Sequence, residues 1–297
     1  MKKYFNYFIY VSLIFLIVAL VRADYLSIPA MYSPWLIMLS IPVLFAGFVL
    51  EALSWKKALE MYGHGSVSLR DSIASLGLSI FGKYIPGKIW VILGRSAYIA
   101  KKYDIDEKDT VTVSLNTQFI TLWIALLLGS LSLIFVKMQA VWIILSALAW
   151  VILSVILFFP FANTLMSWFI SKIIKKKYTI PQLSLGMVLR VSPWFLAVWI
   201  TWCLAFYLFT QGLSPQPITP AVMLIFPFAA TLGILAIVVP GGVGVREGVL
   251  AAMLMWIGLE NALAVTIAAT SRLWFLSGEC FVFLLALVCR SLGKKTT

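Results

Sequence analysis

The sequence predicts an all-α polytopic membrane protein. About six full spans are expected, plus two broken or re-entrant helical hairpins in an inverted-topology repeat, with both termini cytoplasmic. Three observations predict it. Of 297 residues, 62% are hydrophobic and 11% charged, where a soluble domain carries about 25% charged residues. Several apolar runs reach the roughly 20 residues that a helix needs to cross a bilayer. They are continuous rather than alternating, which is the pattern of helices and not of barrel strands. Finally, two runs are interrupted, at "GKYIPGK" and "VVPGGVGVREG", by proline and glycine beside charged residues.

The elements follow in order. A first span is expected over residues 4–21. Its basic start and the "VRA" after it resemble a signal peptide, but the apolar stretch is longer than a signal core, so it reads as an uncleaved span. The second covers 36–55, bracketed by Trp35 and Trp55 as interfacial indoles about 30 Å apart. Region 72–100 is more weakly apolar and holds the first break. Spans 111–136 and 141–159 follow. Segment 166–178, with "SKIIKKK", reads as a surface helix on anionic lipid. The remainder comprises a run over 183–209, then 221–239, the second break, 248–258, and a last run over 262–289. The whole is one integral membrane domain, 1–297, with inverted halves of approximately 1–137 and 138–297.

Charge orients these spans. With the N-terminus inside, the inner segments hold 16 of the 23 basic residues, Arg95 among them, and the outer segments hold Arg22 and Lys137. That asymmetry is the positive-inside pattern. The formal net charge of +12 is then topological, matched to anionic inner-leaflet lipid, and nucleic acid is not an expected partner. Lys83, Lys88, Arg190, Arg246 and Arg272 lie within apolar regions. Arg190 reads as a residue that snorkels to the inner interface.

Each broken segment has like-sided flanks, so each is either a re-entrant hairpin or two short crossings. One enters from inside and the other from outside. Matching Gly/Pro interruptions in the two halves of a transporter point to its binding site. After "PGGVG" a helix should start near Arg246, with unpaired amides and a positive dipole end. Together with the guanidinium this suits a phosphate. The first break offers Lys83 and Lys88 in the same way. The bland alternative is that the glycines only allow close helix packing, with Arg246 and Glu247 at an interface.

In the last run, Arg272 and Glu279 each cost on the order of 3 kcal/mol at the bilayer centre. Thirteen Leu, Ile, Val and Phe residues between positions 263 and 288 return roughly 6 kcal/mol. Both charges should therefore face protein. Seven residues apart, they stand about 10 Å apart along the axis and are not expected to pair with each other. Arg272 with Glu247 is the expected pair. Glu51 reads as a coupling carboxylate or as an interfacial acid reaching water. Cys203, Cys280 and Cys289 have no metal spacing and read as packing residues, and the lone His64 lies in a polar loop. No metal site and no cofactor is expected.

At these residues the chain resembles the transmembrane region of the lysylphosphatidylglycerol synthase family, flippase-like membrane modules that include the N-terminal half of the multiple peptide resistance factor. The resemblance lies in "FGKYIPGKIW" with "GRSAYIAKKYDID", and in "PGGVGVREGVLAAMLMWIGLENALAVTIAATSRLW". "EALSWKKAL" is similar to the family's second-span ending, with Ser54-Trp55 where Arg-Trp is common. The resemblance implies re-entrant helices around a lipid headgroup site. On this sequence its motif positions are Lys83, Tyr84, Pro86 and Gly87; Pro240, Gly241, Gly242, Gly244, Arg246 and Glu247; and Arg272. The sequence stops at Thr297, so the aminoacyl-transferase domain of the bifunctional members is not expected, and neither is their synthase activity.

The expected function is a membrane lipid translocase, not an enzyme, in the cell inner membrane. It would move an anionic phosphate-bearing lipid or a polyprenyl-phosphate lipid between leaflets. Lys83, Lys88, Arg246 and Arg272 would hold the headgroup, with Glu247, Glu279 and Glu51 as couplers or ion-pair partners. Two alternatives stand beside it: a membrane-embedded glycosyl- or acyltransferase, which would consume a lipid-linked donor, and a non-catalytic subunit serving a partner glycosyltransferase or lipid-modifying enzyme, which would tolerate loss of Arg246 and Arg272.

Overall fold

The computed structural model describes residues 31–85, 89–161, 164, 168, 184–236 and 242–292. Among these every regular element is helical. The helices are α1 (Pro34–Met61), α2 (Leu69–Ser79), α3 (Trp90–Tyr103), α4 (Glu107–Phe135), α5 (Ala140–Phe158), α6 (Leu185–Leu213), α7 (Ile225–Leu235), α8 (Val245–Trp256) and α9 (Asn261–Leu292). Two 3₁₀ turns, Ile80–Tyr84 and Pro220–Leu224, follow α2 and precede α7. Five of the helices, α1, α4, α5, α6 and α9, are long and apolar enough to cross a membrane, so this is a multi-pass membrane protein. The expected span over 4–21 and the surface helix over 166–178 lie outside the described residues.

The long pair α1 and α6 forms the centre. Proline starts α1, where its missing N–H costs nothing. Each helix also carries an internal proline at its ninth residue, Pro42 and Pro193. Close approach depends on small residues, as it does between membrane helices generally. The Trp202 indole lies where a side chain at Gly47 would project. At the other end, the Gly212 carbonyl accepts the amides of Tyr32 and Ser33 at 3.1 and 3.0 Å.

Around this centre α2 packs on α9, and α7 packs on α4. Likewise α3 packs on α4 and α8 on α9. The α2–α9 contact is tight because Gly77 faces the Val282 carbonyl and Ala286. Every α2 residue from Asp71 to Ser79 is buried. Two of its hydroxyls are satisfied locally, Ser75 donating to the Ser72 carbonyl and Ser79 to that of Ser75, while that of Ser72 is buried without a partner among the described residues. The start of α2 and the end of α3 meet: Lys102 and the Tyr103 hydroxyl both bind the Asp71 carboxylate, and Tyr103 also accepts the Ser68 amide. At 11 and 14 residues, α2 and α3 rise about 17 and 21 Å, short of one hydrocarbon thickness.

Two expectations are corrected. Trp55 is not an interfacial indole but fully buried, donating to Ser75 at 3.1 Å. Helix α1 runs on to Met61, so position 55 lies inside the packed bundle. Arg95, counted among the charges of the inner segments, is not a solvated loop residue but is buried, at 4% exposed.

Candidate functional site

The first break follows from α2 tightening into the 3₁₀ turn that carries Lys83 and Tyr84. Both side chains reach across to α9, where Lys83 Nζ binds Glu279 Oε1 and the Tyr84 hydroxyl donates to Oε2 at 2.9 Å. Glu279 is 1% exposed, so its charge is balanced in place by Lys83 and by the phenol.

The second break turns on Gly242, at φ +68°, where a Cβ would meet the Gly233 backbone. Gly244 caps the helix that starts at Val245. Its amide donates to Glu247 Oε2 at 2.7 Å, the carboxylate half of a capping box. Glu247 Oε1 stands 4.0 Å from Arg272 Nη1, the expected pair at the outer limit of contact. Arg246 is held by apolar faces. Its guanidinium carbon lies 4.8 Å from the Phe226 ring centroid and 4.9 Å from that of Phe275. Nε and Nη2 are buried without a hydrogen-bond partner among the described residues.

Lys83, Arg246 and Arg272 line one cavity of about 450 Å³, together with Arg95 and Glu51. The triangle of Phe48, Trp202 and Phe275, with centroids 5.2 to 5.4 Å apart, makes an aromatic wall. Ile89 and Leu235, each about half exposed, stand at the rim. Arg272 lies 5.1 Å from the Tyr84 ring, which joins the two breaks across α9. Pro86, Gly87, Lys88, Pro240 and Gly241 lie outside the described residues. The structure thus gathers Lys83, Tyr84, Gly242, Gly244, Arg246, Arg272, Glu247, Glu279 and Glu51 around one site. Among the described residues no group of three His, Cys, Asp or Glu side chains is placed to hold a metal ion.

Arg95 is the site residue that charge counting misses. Its Nε donates to Ser114 Oγ at 2.5 Å, and Nη2 donates to the Ser114 carbonyl and to Thr117 at 2.7 and 3.0 Å. The guanidinium lies 4.6 Å from the Trp55 ring. A signal existed: Ile92, Arg95, Ser96, Ile99 and Ala100 form one helical stripe, so Arg95 belongs to the face that buries.

The model of the lysylphosphatidylglycerol synthase transmembrane region matches residues 6–276. The chain belongs to that family. No curated protein and no solved structure matches it. Family membership points to a membrane-lipid role at the level of class, and the motif cations Lys83, Arg246 and Arg272 meet at the cavity.

Proposed function

We propose that the protein is a lipid translocase of the cell inner membrane, moving a lipid with an anionic phosphate headgroup between leaflets without chemical change. One observation carries this reading. Arg246 is 6% exposed and leaves two guanidinium nitrogens without hydrogen bonds at the wall of an aromatic-lined cavity. A buried, unpaired guanidinium edge is costly, and a phosphate oxygen pair fits its fork. Lys83 is committed to Glu279, and Arg272 faces Glu247, whereas Arg246 lines the cavity without an ion-pair partner among the described residues.

The packing supports an inverted repeat. The pairs α2–α9 and α7–α4 exchange under a swap of halves, and so do α3–α4 and α8–α9. The meeting of the α2 start with the α3 end supports a re-entrant first hairpin. In this reading the two halves rock about the α1–α6 pair and expose Arg246 to each leaflet in turn.

The test is a reconstituted scrambling assay with fluorescent anionic and zwitterionic lipids, comparing the wild type with Arg246→Ala. Translocation of anionic lipid that falls about tenfold or more in the variant is the expected result. Equal rates in both proteins would refute the headgroup role of Arg246. No translocation of any phospholipid would refute the phospholipid reading, leaving a polyprenyl-linked substrate or a subunit role.

A further inference from the structure

The cavity has a second pole that the phosphate does not use. Three carboxylates surround the site, and two are committed. Glu279 is bound through both oxygens by Lys83 and Tyr84. Glu247 accepts the Gly244 amide and faces Arg272. Glu51 alone lines the cavity. Among the described residues it accepts no hydrogen bond and lies within ion-pair distance of no cation. Glu51 is partly exposed and stands in the cavity wall.

Arg95 and Lys83 share the cavity wall with Glu51, but neither lies within ion-pair distance of it. Arg95 gives its Nε and Nη2 to Ser114 and Thr117. The polar groups that share the wall, Gln118 and Thr121, project from α4. A carboxylate in a largely apolar cavity gains most from a ligand that donates to it.

Resting on the lipid reading above, we infer that Glu51 reads the headgroup beyond the phosphate. The substrate class is then a phosphodiester lipid whose headgroup ends in a hydrogen-bond donor, a hydroxyl or a primary ammonium. Arg246 grips the phosphate and Glu51 accepts from the distal donor. A bare phosphate monoester has no distal group to offer, and a quaternary ammonium has no N–H. Discrimination arises because a lipid without the donor leaves Glu51 unsatisfied inside the cavity, the asymmetry by which polar sites reject analogues that lack one hydrogen bond.

The test uses purified protein in detergent and short-chain lipids with glycerol, ethanolamine, choline or no group on the phosphate. Binding is read from the fluorescence of the wall residues Trp199 and Trp202. In the wild type, the glycerol and ethanolamine lipids should bind about tenfold tighter than the choline lipid and the phosphatidate, the ratio expected for one hydrogen bond to a charged acceptor. Glu51→Ala should flatten the series to within about twofold while still binding. Glu51→Gln, which keeps an acceptor but no charge, should retain the glycerol preference and lose most of the ethanolamine preference. Arg246→Ala should weaken all members together. Equal binding of the four lipids by the wild type, or a series that survives in Glu51→Ala, overturns the role of Glu51 while leaving the Arg246 reading intact. Failure of the wild type to bind any of them overturns both.

Discussion

Lys83, Tyr84 and Glu279 show how a charged residue is carried in an apolar helix. Glu279 sits mid-way along a helix that must remain insertable, and its two oxygens are taken by groups from the other half of the chain. Removing one partner from such a pair costs more than removing both, because it strands a charge. Glu279→Gln should therefore lower stability by about 2–3 kcal/mol, toward the low end for a buried pair because Lys83 keeps some exposure. Adding Lys83→Met to that variant should recover most of the loss. Thermal unfolding in detergent measures both. An unchanged midpoint in Glu279→Gln would mean that the pair contributes nothing.

At this scale the sequence was legible where physics forces one outcome and opaque where it allows several. Two charges in the run over 262–289 had to face protein, and Arg272 and Glu279 are 4% and 1% exposed. The separation that kept them apart also held, since Glu279 pairs with Lys83 instead. That partner could not be read, because nothing local relates position 83 to position 279. Trp55 misled for a related reason. An indole 20 residues from Trp35 has the spacing of an interface pair, but tertiary packing placed Ser75 and Arg95 against it.

Among the elements, the two breaks do different work. The first is a tightening of α2 into 3₁₀ geometry that brings Lys83 and Tyr84 to bear on α9. The second is a glycine-dependent crossing, Gly242 over Gly233, that sets where α8 starts and so where Arg246 stands. Proline and glycine in the sequence marked both positions, and the start of a helix near Arg246 followed from them. Whether α2 and α3 form a hairpin did not, because composition is the same for a hairpin and for two short crossings. What shows their ends together is the Asp71 cluster with Ser68, Lys102 and Tyr103.

That cluster gives a pH prediction. Burial alone would raise the Asp71 carboxyl, but hydrogen bonds from Lys102, Ser68 and Tyr103 outweigh it and hold the group below the ordinary carboxylate range. A depressed carboxyl stabilises the fold above its ordinary pKa, and that stability is lost as the pH falls through the folded value. The ends of α2 and α3 should thus loosen below about pH 4, seen as faster amide hydrogen exchange over residues 68–72 and 101–105. Asp71→Asn should cost about 1 kcal/mol at neutral pH, since Lys102 is partly solvated, and should remove the acid sensitivity. Acid loosening that persists in the variant would assign it to another group.

For the whole molecule, five long apolar helices enclose four cations, Lys83, Arg95, Arg246 and Arg272, against the three carboxylates Glu51, Glu247 and Glu279. Such a collection is expensive in hydrocarbon and marks function by default. It leaves a single positive charge in excess, and Arg246 carries it with two nitrogens unbonded. In the proposed reading, one monoanionic phosphodiester would balance the interior. Native mass spectrometry of the protein released gently from membranes tests this most directly. One phospholipid per chain should be retained by the wild type and lost in Arg246→Ala at unchanged thermal stability. Equal occupancy by the same lipid in both proteins would rule out Arg246 as the headgroup ligand.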